Sequence, residues 1–449
     1  MGAMRGVRVA WLLGIVGLAL SHYWLVAKVE PFYSSIYVFL WWSYILAVDA
    51  VVYRLRGSSL LHDRLKEFAF LALWSVPVWL LFELVNLRIQ NWYYVMAPRY
   101  WWGMAFLALA FATVLPGIFE TTELVLAVIR KAAPGGRIAG RPFTVSGWNI
   151  AAQLAIGVSM LVLLLAFPRD CFCLAWGFAY FLTDPICYWR TRREKDQTGK
   201  SLLGQLAAGD NTRLIAMLVA GVICGGLWEA WNFGARTKWI YSVPFFDEVK
   251  LGEMPALGFL GFPPFVLECY AIINFLSLFR GGRNWELSAA ENNARPGMRR
   301  WLVTTLAVAA PLGSLAAAAL VMMGGTVTSF SEGMEKYFDI ELGARGAQAL
   351  EERHAEQGNQ FLRLADRPPE IGAAVYARLR RVAEMAELKG MGFRNALALE
   401  RLGVLSASDL AAQNPDSLEA RLRRIGCDVR LEEVKIWIRA ARRRGKRDV

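Results

Sequence analysis

Histidine and cysteine are scarce in this sequence, which has three histidines and six cysteines among 449 residues. No two histidines stand at a helical ligand spacing and no cysteines form a CxxC pair, so the spacing typical of a zinc site is missing. Phosphate-binding GxxxxGK[ST] or GxGxxG loops are missing too, and so is a GxSxG elbow. The sequence gives no support to ATP, nicotinamide or serine-hydrolase chemistry, and no cofactor is predicted.

Apolar sequence, in contrast, is abundant. Hydrophobic residues make up 56% of the chain, 18 residues are Trp, and the mean hydropathy is +0.33. About nine apolar runs have the ~20 residues that a helix needs to cross a bilayer core of ~30 Å. We predict an all-α fold, a polytopic membrane helix bundle followed by a soluble helical domain. The predicted spans are Val9–Ala27, Ser34–Tyr53, Phe68–Leu87, Trp102–Ile129, Trp148–Phe167, Cys171–Trp189, Leu214–Phe233, Ala256–Phe279 and Trp301–Met323.

The distribution of basic residues predicts the orientation of these spans. The net charge is +12, and the four loops that follow the even-numbered spans hold 19 Lys and Arg residues, whereas the loops on the other side hold seven. Short cytoplasmic loops are enriched in Lys and Arg. We therefore predict a multi-pass protein of the cytoplasmic (inner) membrane with a cytoplasmic N-terminus. An odd number of spans would place the C-terminal domain outside the cytoplasm.

An internal repeat organises the membrane part. The first copy carries Glu83, Asn86, Trp92, Tyr94 and Glu120, and the second carries Glu229, Asn232, Trp239, Tyr241 and Glu268 in the same order. Earlier in each half, an aspartate (Asp49 or Asp184) precedes a Gly-x-Ser-Leu-Leu sequence. The pattern predicts two parallel four-helix repeats, since an even number of helices inserts both copies the same way up.

The repeat and the change of composition after it predict five segments. Residues 1–146 and 147–299 would form the two repeats, and residues 300–324 a ninth transmembrane helix. A helical connector would follow at 325–387, and a separate domain at 388–449. The connector is rich in Ala, Glu, Arg and Leu, a composition typical of a soluble helix.

Six carboxylates stand in or beside the predicted spans: Asp49, Glu83, Glu120, Asp184, Glu229 and Glu268. Charge is expensive there, so each is a candidate catalytic residue that could act as a general acid or base. Oxygen ligands also suit hard cations, which leaves metal binding open. The alternative is that these side chains form hydrogen bonds between helices and only stabilise the packing of the repeats.

The membrane repeats resemble those of membrane-embedded lycopene (carotenoid) cyclases. That family has an acidic residue, then Trp-x-Tyr, then a Pro-and-Glu motif in the next helix, which matches the pattern at Glu83 and Glu120 and at Glu229 and Glu268. The departures are Glu in place of Asp, one Glu in place of an adjacent pair, and four helices per repeat in place of three. The resemblance implies carboxylates that protonate and deprotonate a polyene.

On this hypothesis the protein is an enzyme that acts on an isoprenoid or another lipid. Glu120 and Glu268 would be the acid/base pair, while Glu83 and Glu229 would stabilise positive charge. The predicted substrate-binding residues are Asn86, Trp92, Tyr94, Asn232, Trp239 and Tyr241. Two alternatives remain open, namely a non-catalytic scaffold or complex subunit, and an ion-coupled transporter built on parallel repeats.

The C-terminal segment contains a glycine hairpin, Gly390-Met391-Gly392, between two helical patterns. From Leu388 onward it resembles a helix-hairpin-helix domain. The resemblance implies that Gly390, Gly392 and Arg394 contact a partner, which in that family is either a nucleic-acid backbone or a protein. If the domain lies outside the cytoplasm, chromosomal DNA is out of reach. We therefore favour a protein partner or self-association.

Overall fold

The computed structural model describes residues 2–89, 91–95, 101–194, 196–241, 249–294, 338–357, 367–386, 391–427 and 429–445, with isolated residues between these ranges. The described chain forms two compact units. Unit 1 lies within residues 1–92, 98–235 and 250–326, and unit 2 lies within residues 93–97, 236–249 and 327–449.

Unit 1 is built almost wholly from helices. They are α1 (Gly2–Ala27), α2 (Ile36–Arg56), α3 (Leu60–Asp63), α4 (Leu65–Ile89), α5 (Trp101–Phe111), α6 (Val114–Ala132), α7 (Gly147–Ala166), α8 (Pro168–Cys171), α9 (Phe178–Thr191), α10 (Leu202–Ala207), α11 (Thr212–Gly234), α12 (Phe262–Phe279) and α13 (Ala289–Ala294). A short antiparallel pair joins β3 (Lys250–Leu251) to β4 (Met254–Pro255).

Seven helices among the described residues are long and apolar enough to cross a membrane, and these match seven of the predicted spans. The predicted span Cys171–Trp189 is a pair of helical segments bent by 42°, Pro168–Ala175 and Phe178–Thr191, and counting it gives up to eight spans. The predicted ninth span, Trp301–Met323, falls almost wholly outside the described residues. The multi-pass helical class is confirmed, while the number nine stays a prediction.

The two halves of unit 1 use the same helix pairings. In the first half α2 packs against α1 and α6, and α6 also packs against α4. In the second half α9 packs against α7 and α12, and α12 also packs against α11. Helix α6 of the first half packs on α11 of the second and joins the halves. These pairings agree with a duplication, and the segment boundaries at 146 and 299 stay predictions.

Equivalent glycines precede the Ser-Leu-Leu sequences of the two halves, and the first of them also ends α2. Gly57 follows α2 with a left-handed φ of 75°, and its N–H donates to the carbonyl oxygen of Tyr53 at 2.7 Å. Gly199, with φ of 65°, stands at the matching place in the second half. A left-handed residue turns the chain sharply after a helix, and glycine adopts that conformation without a steric cost. Both turns lead into the Ser-Leu-Leu sequence that begins α3 or α10.

Unit 2 contains helices α14 (Gly343–Gln357), α15 (Ala373–Ala386), α16 (Gly392–Arg401), α17 (Ala407–Ala411), α18 (Pro415–Arg424) and α19 (Leu431–Gly445). Strand β2 (Lys238–Tyr241) belongs to it, and β2 is the neighbour of β1 (Trp92–Val95) in a two-stranded sheet. Helices from the predicted connector and from the predicted C-terminal domain share one hydrophobic core, which includes Leu350, Leu379, Leu399 and Trp437.

An ion pair stabilises this core at its edge. Arg378 of α15 donates to both carboxylate oxygens of Glu400 on α16, at 3.0 Å from Nε and 2.8 Å from Nη2. Its Nη1 donates to the carbonyl oxygen of Phe338. The hydrogen bonds to Glu400 raise the pKa of Arg378 above its usual value. A bidentate pair of this kind fixes the two helices in one register.

Candidate functional site

Asp184 on α9 is a structural cap for the short helix α10. Its side chain is fully buried. The N–H groups of Leu202 and Leu203 donate to its carboxylate, each at 2.8 Å, and Ser201 Oγ donates at 3.1 Å. The first N–H groups of a helix have no partner within the helix, so an acceptor that reaches them stabilises the helix start. The buried charge of Asp184 is used to hold the turn between α9 and α10.

Asp49 on α2 occupies the equivalent place in the first half, with one substitution among its donors. Leu61 N–H donates at 2.8 Å and Ser59 Oγ at 3.0 Å, as in the second half. The third contact is His62 Nδ1, at 2.8 Å from Asp49 Oδ2. In the second half, Gly204 stands at the position of His62. A titratable side chain thus replaces a backbone donor in the first repeat only.

Glu268 and Glu120 occupy equivalent positions and have different partners. Glu268 on α12 is fully buried, and its Oε1 accepts the N–H of Ala179 at 2.9 Å, at the start of α9. Glu120 on α6 is also fully buried, but its main polar neighbour is the carboxyl group of Asp49. Apart from that contact, neither oxygen of Glu120 has a hydrogen-bond partner among the described residues. The two glutamates predicted to act as one pair therefore have separate environments.

Aromatic side chains lie against the residues of α6 that neighbour Glu120. Gly117, one turn before Glu120, lies against the ring of Trp41, so that a side chain at position 117 would collide with the indole. Trp41 in turn lies 5.3 Å from Trp228 and 5.0 Å from Trp231, measured between ring centroids. At Thr121, the residue that follows Glu120, the side-chain Oγ1 lies 2.9 Å from Tyr44 Oη. An aromatic cluster that includes residues of both halves thus lies one helical turn from Glu120.

A network of buried arginines and carboxylates lies beside the pair. Its centre is Glu123 on α6, one turn after Glu120, which forms an ion pair with Arg56. Arg64 and Arg213 approach the same carboxylate at 3.7 Å and 3.6 Å. Arg213 also pairs with Glu286 at 3.1 Å. Glu123, Arg64 and Arg213 are each at least nine-tenths buried, so these charges depend on one another rather than on water.

Sequence reasoning missed this network because it counted the arginines only as signals of membrane orientation. One available signal was the spacing of Glu120 and Glu123, since residues three apart share a helix face. Arg64 is affected both by burial and by the charges of this network. Burial lowers the pKa of its guanidinium, while the nearby carboxylates of Glu120, Asp49 and Glu286 oppose that shift. Its Nη1 donates to the carbonyl oxygen of Trp285.

Glu83 and Asn86 shape the end of α4. Glu83 Oε1 accepts the indole N–H of Trp79 at 2.9 Å and that of Trp92 at 3.1 Å. Asn86 Oδ1 accepts the N–H of Asn91 at 2.8 Å, and Asn86 Nδ2 donates to the carbonyl oxygen of Trp92 at 2.8 Å. Asn86 therefore closes the turn after the helix. The carboxylate of Glu83 thus binds two indoles, one of them that of the predicted substrate-binding residue Trp92.

The remaining predicted residues are divided between the two units. Glu229 and Asn232 are buried on α11 in unit 1, where Glu229 is an electrostatic neighbour of Tyr37. Tyr94, Trp239 and Tyr241 belong to unit 2, where Trp239 Nε1 donates to Tyr241 Oη at 2.8 Å. Gly390 lies outside the described residues, as does the side chain of Arg394, and α16 begins at Gly392. The partner-binding role of this hairpin stays a prediction.

Among the residues that the structure describes, no group of three or more His, Cys, Asp or Glu side chains is arranged to hold a metal ion. The chain matches no protein-family model, no curated protein and no solved structure. The resemblances to carotenoid cyclases and to helix-hairpin-helix domains therefore rest on the residues quoted for them.

Proposed function

We propose that this integral membrane protein is an enzyme that performs acid/base chemistry on a long apolar substrate, an isoprenoid or another lipid. Asp49 and Glu120 would be the groups that exchange the proton. The single observation that carries the proposal is the difference between the two repeats at these positions. In the second repeat the equivalent carboxylates each accept backbone N–H groups at a helix start. In the first repeat, Glu120 faces Asp49 instead.

The second repeat serves as an internal reference for the structural role. A carboxylate that only stabilises packing is best satisfied by fixed N–H donors, which is the arrangement of Asp184 and of Oε1 of Glu268, although Oε2 of Glu268 has no hydrogen-bond partner among the described residues. Glu120 lacks such donors among the described residues, although its helix packs in the same way as α12. Two carboxyl groups in contact can share one proton, because both cannot be charged at low cost. That property suits a group that gives and takes a proton during a reaction.

The surroundings of the pair support an apolar substrate. Trp41, Trp228 and Trp231 form a cluster that begins at Gly117, one helical turn from Glu120, and an indole face attracts a developing carbocation. A reaction that protonates a carbon–carbon double bond creates such a charge, and the conjugate base of the same pair can then remove a proton from the carbocation to give the product. We infer that the substrate, being apolar, reaches the buried pair from the bilayer.

Lipid analysis of a bacterial host tests this proposal. Extracts from cells that express the wild-type protein are compared by mass spectrometry with extracts from cells that express the Glu120→Gln protein at equal membrane levels. We expect a lipid, in particular an isoprenoid, to change in abundance or isomeric form only with the wild type. Identical extracts from a host supplied with linear polyenes would contradict an enzyme. Proton- or sodium-driven uptake into proteoliposomes would favour the transporter instead.

We also propose the orientation that the basic loops predict, with the N-terminus and the loop after α6 in the cytoplasm. The ion-pair network of Glu123 would then lie toward the cytoplasmic side. Alkaline phosphatase fused after Arg141 is expected to be inactive, because the enzyme needs an extracytoplasmic location. The same reporter fused after Val449 is expected to be active. Activity in the first fusion would reverse the topology, and inactivity in the second would mean an even number of spans.

The scaffold remains the second candidate, because unit 2 has a hydrophobic core that includes the helices after residue 342. On that hypothesis the membrane helices anchor an interaction domain. Removal of all residues after Gly324 would then abolish function, while Glu120→Gln would leave it intact. The enzyme proposal expects the second variant to be the inactive one.

A further inference from the structure

We propose that His62 is the residue that carries protons between the aqueous phase and the buried pair of Asp49 and Glu120. The inference rests on the proposed function, since it assigns a route for the proton that this pair would use. His62 follows α2 in the short helix α3, outside the long apolar helices. Its side chain is 19% exposed, whereas that of Asp49 is 0% exposed. His62 therefore stands at the boundary between the solvent and the buried carboxyls.

The three groups form a continuous path. His62 Nδ1 lies 2.8 Å from Asp49 Oδ2, and Asp49 is also the main polar neighbour of Glu120. Imidazole is the side chain best suited to accept and release a proton near neutral pH. A path of His, Asp and Glu side chains that leads into a membrane helix bundle is the usual form of an intramembrane proton relay.

Comparison of the repeats shows that the same turn forms in the second half without a histidine, where the N–H of Leu202 is the further donor. Asp184 caps α10 with Ser201 and two backbone N–H groups, and the residue at the position of His62 is Gly204. The fold of this turn is therefore compatible with a residue that has no side chain. The repeats differ in two ways: His62 replaces Gly204, and Glu120 contacts Asp49. Both differences involve the carboxylate of Asp49.

Other polar groups around His62 are consistent with the path. Ser59 Oγ lies 3.2 Å from Nδ1, and the ring of Tyr53 on α2 lies 5.1 Å away. The carboxylate of Asp63 is held by the N–H of Ser59, and Arg64 is an electrostatic neighbour of both Asp49 and Glu120. The positive charge of Arg64 favours a negative charge on the pair after its proton leaves.

The transfer conserves protons and involves no electrons. Hydronium in the solvent gives a proton to Nε2 of the neutral imidazole, and the proton on Nδ1 passes to Asp49 Oδ2, which leaves the ring as the Nε2–H tautomer. Asp49 then gives a proton to the carboxylate of Glu120. When the ring swings away from Asp49, it releases the Nε2 proton to the solvent and takes up another at Nδ1, which restores the starting tautomer. The reverse sequence returns the proton that Glu120 removes from the carbocation.

Infrared spectroscopy of the full-length protein in lipid nanodiscs tests the path without a substrate. The C=O stretch of the protonated pair is identified as the band that disappears in Glu120→Gln. After transfer to D₂O, the rate at which this band shifts reports proton exchange with the solvent. We expect His62→Gln, which keeps a donor for Asp49, to slow this rate about tenfold or more. The matched control His22→Gln, on α1, is expected to exchange at the wild-type rate.

A chemical rescue separates a relay from a structural role. His62→Gly copies the residue found in the second repeat, and added imidazole is expected to restore its exchange rate. Wild-type exchange in both His62 variants, or slow exchange that imidazole does not restore, would overturn the relay. Absence of any protonated-carboxyl band that depends on Glu120 would instead overturn the shared proton, and with it the proposed function.

Discussion

If the proposed activity is right, we expect substitution of Glu120 by Gln to lower the conversion of the lipid substrate about 10²- to 10⁴-fold, the usual contribution of a general acid or base. We expect the same substitution at Glu268 to leave conversion close to that of the wild type. Glutamine has nearly the size of glutamate, so both variants fill the same space. At position 268 its amide oxygen still accepts the N–H of Ala179, which is the contact observed for Glu268. At position 120 the amide can no longer exchange a proton.

Asp49→Asn tests whether the two carboxyls act as a unit. Its amide oxygen still accepts the N–H of Leu61, but the shared proton is lost. We expect the double variant Glu120→Gln and Asp49→Asn to be about as inactive as either single variant, since residues that act together are not additive. Conversion is measured by mass spectrometry per amount of folded protein, which is assessed from the melting temperature. An equal loss in Glu268→Gln would contradict the assignment of the chemistry to the first repeat.

The fold was predictable from the sequence to the extent that it depends on apolar length. Runs such as Leu214–Phe233 predict a membrane helix because backbone groups must be satisfied within the bilayer, and the structure contains the helix Thr212–Gly234 there. The repeat was visible because the few polar residues within the apolar runs follow one another in the same order in both halves. The aspartates were visible for the same reason. Asp49 and Asp184 are each followed by a Gly-x-Ser-Leu-Leu sequence, and each caps the short helix that this sequence begins.

The candidate site was only half predictable, because equivalent residues in the two repeats have different neighbours. Glu120 and Glu268 have the same sequence context, yet one lies against a carboxyl group and the other against backbone N–H groups. Sequence spacing fixes which residues share a helix face, but it does not fix which face of another helix they meet. The sequence does not single out His62, since its partner Asp49 lies on a different helix, 13 residues away.

The arginine network shows the same limit over a longer distance. Arg213 in the second half reaches Glu123 in the first, and nothing local to either residue predicts the pairing. Basic residues at the ends of spans have a sufficient explanation in membrane orientation. Arg213 is one of these basic residues, and it is buried because α6 packs on α11.

Arg213→Met is expected to destabilise unit 1 by about 3–5 kcal/mol, because it leaves the buried carboxylate of Glu286 without the arginine with which it forms an ion pair. Arg213 has 4% exposure, pairs with Glu286 at 3.1 Å and approaches Glu123 at 3.6 Å. The variant is measured by its unfolding in mixed detergent and SDS. The control is Arg137→Met, which removes an exposed arginine and should change stability by less than about 0.5 kcal/mol.

A second substitution identifies which carboxylate causes the loss of stability in Arg213→Met. Glu123 keeps its pairs with Arg56 and Arg64 when Arg213 is replaced, whereas Glu286 loses the cation with which it forms an ion pair. Glu286→Gln in the Arg213→Met background should therefore restore more stability than Glu123→Gln does. Restoration by Glu123→Gln instead would mean that Arg213 serves mainly to hold α11 on α6. If neither change restores stability, the loss comes from the packing of the arginine side chain, including its contact with the ring of Trp285.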